Sequence, residues 1–179
     1  PLLIGGHQER GRRAGTENVP SIIALGKACE LAQEHLAHID QERELRDYLE
    51  SGILATIPNC AVNGHPIQRL PNTTNIGFKY IEGEAILLHL NHYGICASSG
   101  SACTSGSLEP SHVLRAMGLP YTVLHGSIRF SLSRYTTRQE VEEVLAVMPT
   151  IAERLRALSP FKNDQADWLQ ERQQATVLS

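Results

Sequence analysis

Between residues 73 and 158 the spacing of apolar side chains switches repeatedly between steps of two and steps of three or four. This switching restricts the fold more than any other property of the chain. Ile76, Phe78 and Tyr80 alternate, which predicts a strand over 73–80 with one buried face. A helix over 82–92 follows, packed through Ile86, Leu87 and Leu90, and then a buried strand over 95–97. Pro110 and Gly118 bracket a short helix anchored by Val113, Leu114 and Met117. Residues 127–133 form another strand, with Ile128, Phe130 and Leu132 on one face and Arg129 on the other. Thr137 and Glu140 stand as a capping box before a helix whose stripe is Val141, Val144, Leu145, Met148, Ala152 and Leu155, kinked at Pro149. With a short strand at Ala61-Val62, the expectation is a small α/β layer domain.

Upstream, Ile22, Leu25, Cys29, Ala32, Leu36 and Ile39 recur at steps of three and four, the pattern of one buried helical stripe over 21–53. The stripe continues through Leu45, Tyr48 and Leu49, but its register slips between Ile39 and Leu45, so the expectation is either a bend there or one face exchanging partners along a single helix. Cys29 falls on the buried side and His35 and His38 on the solvated side. Domain boundaries are set at 1–20, 21–53, 54–158 and a polar tail at 159–179, in which Trp168, Leu169 and Val177 are the candidate anchors.

At 179 residues and 41% apolar, the chain suffices for one domain or one and a half. A net charge of −3 gives no general attraction to nucleic acid. No apolar run approaches the roughly 20 residues of a membrane span. The cysteines Cys29, Cys60, Cys96 and Cys103 form no C-x-x-C pair, which argues against a zinc knuckle or a disulfide framework and for a reducing, cytoplasmic setting. A chain opening on Pro1 rather than Met is expected to be part of a longer protein.

Two stretches carry chemistry. Residues 97–107 set Cys103 among Ser, Gly, Ala and Thr, a composition suited to a mobile loop tethered between a strand and a helix. Composition alone leaves open a Ser/Gly linker with an incidental thiol. Residues 5–16 mix glycines with Arg10, Arg12 and Arg13 and end at Thr16, just before the helix signal Asn18-Val19-Pro20. Such a loop suits a phosphate or carboxylate, and the alternative is a solvated turn with surface ion pairs.

Four motifs occur in order: Gly5-Gly6-His7-Gln8-Glu9-Arg10-Gly11 with Arg13 and Gly15-Thr16; Ser99-Gly100-Ser101-Ala102-Cys103; Ser107-Leu108-Glu109-Pro110-Ser111; and Ser127-Ile128-Arg129-Phe130-Ser131. Together they resemble the C-terminal half of cysteine desulfurases, and Thr16-Glu17-Asn18-Val19-Pro20 is similar to the nitrogen-fixation (NifS) type more than the housekeeping (IscS) type. The resemblance implies the small domain of a fold-type I, class V aminotransferase-like enzyme, plus the last loop and long helix of its large domain. It implies pyridoxal phosphate as cofactor, L-cysteine as substrate, L-alanine and a persulfide on Cys103 as products, and a homodimer. It also implies an iron-sulfur scaffold protein as sulfur acceptor, and Cys103 as the residue that would touch a cluster, with no resident metal.

By the same resemblance Cys103 is the catalytic nucleophile, Arg129 holds the substrate carboxylate, and Thr16 binds the cofactor phosphate in the partner subunit. Transfer requires a thiol that moves between an inner and an outer position. His112 and His125 are nearby candidates for a base. Lys27, Lys79 and Lys162 all lack the family's His-Lys context, so the lysine that would carry the cofactor is expected upstream. Two other classes stand beside this one: a cysteine hydrolase using Cys103, which needs a fixed nucleophile and an oxyanion hole, and a non-enzymatic sulfur carrier or scaffold-docking domain.

Overall fold

The computed structural model describes residues 1–99 and 111–159. The chain forms two compact units, Pro1–Ile39 and Asp40–Ser179. The first holds α1 (Gln8–Gly11) and α2 (Val19–Leu36). Asn18 caps α2 by accepting from the Ser21 N–H at 3.2 Å, and Pro20 occupies the first turn, where its missing N–H costs nothing. The helix ends at Leu36 and α3 (Ile39–Thr56) begins two residues beyond Ala37, so the expected single helix is two, and the break falls before Ile39 rather than between Ile39 and Leu45, where α3 runs on unbroken.

No residue of α2 is buried, Cys29 included, which corrects the expectation of a buried stripe. Periodicity fixes which face of a helix is apolar. Burial needs a second surface, and residues 1–39 offer only the four-residue α1.

The second unit is a two-layer α/β structure. Its strands are β1 (Cys60–Asn63), β2 (Thr73–Phe78), β3 (Ser98–Ser99) and β4 (Ser127–Ser131), in the order β1-β2-β4-β3 with every neighbouring pair antiparallel. Four further helices join α3 in this unit: α4 (Gly83–His92), α5 (His112–Ala116), α6 (Tyr121–Leu124) and α7 (Arg138–Leu158). One face of the sheet, with Ile76, Phe78, Ile128 and Phe130, packs against Leu49 and Ile53 of α3, Ile86 and Leu90 of α4, and Val141, Met148 and Ile151 of α7. Each such side chain removed from water contributes about 2 kcal/mol, and these contacts account for the position of all three long helices. Thr137 caps α7 in the predicted box with Glu140, and the helix continues through Pro149 without a break to Leu158.

Polar groups tie α3 to the loop between β1 and β2. Arg69 donates to both Glu50 oxygens at 2.7 and 2.9 Å, Thr74 Oγ1 donates to Glu50 at 2.6 Å, and Arg46 donates to the Leu70 carbonyl at 3.0 Å. Burial acts to raise the Glu50 carboxyl, but the hydrogen bonds from Arg69 and Thr74 outweigh it and hold the group below its ordinary value of 4.5.

Several local expectations change. β2 stops at Phe78, because Lys79 leaves the ladder and Tyr80 takes a φ of +67° in the turn before α4. Residues 95–97 are not a strand; pairing begins at Ser98, and Cys96 is exposed. In α5 only Leu114 is buried, while Val113 and Met117 face solvent, since five residues turn only one position fully inward. Among the described residues no helix is long and apolar enough to cross a membrane.

Candidate functional site

Alternation along β4 turns Ser127, Arg129 and Ser131 to the face opposite Ile128 and Phe130. The register pairs Arg129 with Asn75 of β2 on one side and with Ser98 of β3 on the other, and pairs Asn75 with Asn63 of β1. Asn63, Asn75, Arg129 and Ser98 therefore form one row across all four strands. Asn63 is buried and donates through Nδ2 to Asn75 Oδ1 at 2.7 Å and to Ser127 Oγ at 3.1 Å. Ser127 Oγ donates in turn to the Val123 carbonyl at 2.7 Å. The Arg129 side chain is exposed and has no hydrogen bond or ion pair among the described residues. An uncompensated guanidinium beside polar neighbours is suited to paired recognition of a carboxylate.

The apolar part of the same face lies beside this row. Val123 of α6 packs against Ala61 and over Gly77, where a Cβ would come within 2.4 Å of Val123 Cγ1. Gly77 thus lets α6 close that end of the face, and Arg129 keeps the open end.

The strand β3 ends at Ser99, four residues before Cys103 in sequence, and Cys103 lies outside the described residues. The described thiols differ among themselves. Burial pushes Cys60 up to about 11, with Arg156 acting weakly in the other direction, and its sulfur donates to the Ile57 carbonyl at 3.0 Å. A thiol so held stays protonated at neutral pH and is a poor nucleophile. Cys29 and Cys96 are exposed.

Of the two histidine candidates, His112 is exposed at the start of α5. His125 sits at the end of α6, with Nδ1 3.7 Å from Glu82 Oε2, its ring 4.2 Å from that of Tyr121 and Nε2 buried without a hydrogen-bond partner among the described residues. It lines an apolar cleft of about 320 Å³ with Tyr80, Leu155 and Leu158.

In the first unit the loop before α2 is shaped by positive φ at Glu9, Arg10, Gly11 and Gly15. Arg13 donates to the Gly15 carbonyl and pairs with Glu17 at 3.4 Å, while Thr16 is exposed two residues before the cap of α2. Arg13 is thus neutralised within its own loop, and the Thr16 hydroxyl is left accessible at the helix entrance.

By themselves the described residues do not make a site for pyridoxal phosphate. Lys27 is ion-paired with Glu30 at 2.9 Å on α2, and Lys79 is buried with its ammonium 4.8 Å from the Tyr80 ring centroid. Lys162 lies outside the described residues. Thr16 offers a donor for a phosphate and nothing for a ring. Among the described residues no cluster of three His, Cys, Asp or Glu side chains is arranged to hold a metal ion.

Cross-strand pairing supplies what periodicity missed. Asn75 reads in sequence as an ordinary polar strand position and Ser98 as part of the 97–107 loop, and only the register places them on either side of Arg129. The available signal was the alternation of Thr73 and Asn75 with Thr74 and Ile76.

Residues 5–144 match the family model for class-V aminotransferases. The chain is 77% identical over 175 residues to a protein named cysteine desulfurase 2 from Trichormus variabilis, covering 98% of this chain and 44% of that one. It is 64% identical over 162 residues to cysteine desulfurase NifS of Azotobacter vinelandii, covering 90% of this chain and 40% of that one. A solved NifS-like protein from Rickettsia africae superposes with a TM-score of 0.74 at 33% identity, over 86% of this chain and 40% of that structure. The chain spans less than half the length of these relatives, and it belongs to the class-V aminotransferase family.

Proposed function

We propose that the chain supplies the small domain, and the last loop and long helix of the large domain, of a cysteine desulfurase that uses pyridoxal phosphate. The observation that carries this is Arg129: an exposed cation without a counter-charge among the described residues, paired on one side with the strand that leads toward Cys103. The 77% identity to a protein named cysteine desulfurase supports it. In this reading Arg129 holds the α-carboxylate of L-cysteine, and Thr16 donates to the cofactor phosphate in a partner subunit of a homodimer. The Cys103 thiolate attacks the substrate sulfur. An S–S bond forms as the Cβ–S bond breaks, the Cys103 sulfur is oxidised to a persulfide, and the substrate carbon is reduced to the methyl group of L-alanine after taking up a proton. The persulfide then passes to an iron-sulfur scaffold protein, of the nitrogen-fixation type, in the cytoplasm.

The test uses the polypeptide extended to the full length of its relatives, loaded with pyridoxal phosphate and given L-cysteine. Alanine and persulfide on Cys103, mapped by peptide mass spectrometry, are expected to form together in a single turnover. Failure to form alanine, or a persulfide located elsewhere, overturns the assignment.

A further inference from the structure

The donor and acceptor pattern along the polar row has a direction. Two oxygens 2.7 Å apart, Ser127 Oγ and the Val123 carbonyl, need a proton between them, and only Ser127 has one. Toward Asn63, Ser127 is therefore an acceptor, which places the Asn63 amide nitrogen against it. The same nitrogen supplies the hydrogen for Asn75 at 2.7 Å, so the Asn75 atom facing Asn63 is the oxygen. What Asn75 has left is its NH₂ group, which has no partner among the described residues. Its neighbour on the other strand is Arg129, whose Cβ lies about 5 Å away in a paired position. A guanidinium has donors only and so has the Asn75 NH₂, and among the described residues no hydrogen bond joins Arg129 to the second lone pair of Asn75 Oδ1, so neither group's donors are satisfied by the other. An anion with two oxygens satisfies both.

We propose that Asn75 is a second substrate-binding residue, donating through Nδ2 to the carboxylate that Arg129 anchors. This rests on the reading of Arg129 as that anchor. The chain Val123–Ser127–Asn63–Asn75 fixes the amide so that it presents a donor, and burial of Asn63 keeps it from turning over. The ligand class is an α-amino acid carboxylate. A planar two-oxygen anion accepts from a guanidinium and an amide side by side.

The experiment compares Asn75→Asp, Asn75→Ala and Arg129→Ala in the polypeptide extended to the full length of its relatives. It reads KM and kcat for L-cysteine and, by calorimetry, the binding of L-alanine against L-alaninamide. Asn75→Asp keeps the volume and the acceptor for Asn63, but replaces the donor with a carboxylate that repels the substrate and occupies Arg129. It is expected to raise KM and the L-alanine Kd by about tenfold or more, the scale of a charge-assisted hydrogen bond, with kcat within about twofold. Asn75→Ala is expected to raise both in the same direction and to erase part of the preference for L-alanine over its amide. If Arg129→Ala raises KM while both Asn75 variants leave KM and L-alanine binding unchanged, the inference is overturned and the role of Arg129 stands. If Arg129→Ala itself changes neither, the reading of Arg129 falls and this inference falls with it. A loss of kcat together with a lowered melting temperature in both Asn75 variants marks a structural role and also overturns the inference.

Discussion

Gly126 lies so close to Phe78 that a Cβ on it would stand 2.0 Å from the Phe78 carbonyl oxygen and 2.6 Å from that of Ile81. The Phe78 N–H donates back to the Gly126 carbonyl at 3.0 Å, so the end of β2 and the start of β4 are locked backbone to backbone. Neither carbonyl can retreat without breaking the ladder that sets the Asn75–Arg129 register. Gly126→Ala is therefore expected to destabilise the second unit by on the order of 3 kcal/mol, read as a lowered urea midpoint with an unchanged slope. A midpoint equal to that of the unsubstituted chain would show that the strand ends tolerate separation.

Glu50 makes the stability of this unit depend on pH. Its folded pKa lies below the ordinary value of 4.5 because the hydrogen bonds from Arg69 and Thr74 outweigh burial. The sign follows: the stabilisation is fully present above 4.5 and is lost as pH falls through the depressed folded value. Glu50→Gln removes the charge and one strong acceptor from a bidentate pair, costing about 2 kcal/mol at neutral pH. The gap in melting temperature between the two proteins is expected to narrow as pH is lowered below 4.5, and a gap independent of pH would contradict the account.

The described thiols separate by chemistry. With Cys60 half-buried and raised to about 11, and Cys29 and Cys96 exposed, brief treatment with iodoacetamide at pH 8 is expected to label the last two and spare Cys60. Peptide mass spectrometry under native conditions reads this directly. Labelling of Cys60 at a rate equal to that of Cys96 would mean that the β1 edge opens readily.

In the polypeptide extended to the full length of its relatives, Cys103→Ser is expected to abolish persulfide formation while leaving the cofactor absorption band intact. The thiol is proposed as acceptor of sulfur and as no part of the cofactor's hold. Arg129→Ala is expected to weaken capture of L-cysteine by about 2 kcal/mol in kcat/KM, from loss of a charged hydrogen bond. A Cys103→Ser variant that has lost the absorption band would reassign that residue to cofactor binding.

Much of the architecture was determined by the chain's local chemistry. Strand and helix periods between residues 73 and 158 follow from which side chains avoid water on one face. The capping box at Thr137 and the cap at Asn18 follow from hydrogen-bonding groups within a few residues. The alternation of Arg129 away from Ile128 and Phe130 is local as well, which is why its accessibility was legible.

Tertiary structure alone decided what depends on residues distant in sequence. Placing β4 between β2 and β3 brings Asn75 and Ser98 to Arg129 across 54 and 31 positions of chain, and nothing in any one segment encodes which strands will be neighbours. Burial is likewise a property of two surfaces. Cys29 on its apolar stripe is exposed, whereas Cys60, on a four-residue strand, is half-buried against α3 from elsewhere in the chain, and that burial holds its thiol protonated against the opposing pull of Arg156.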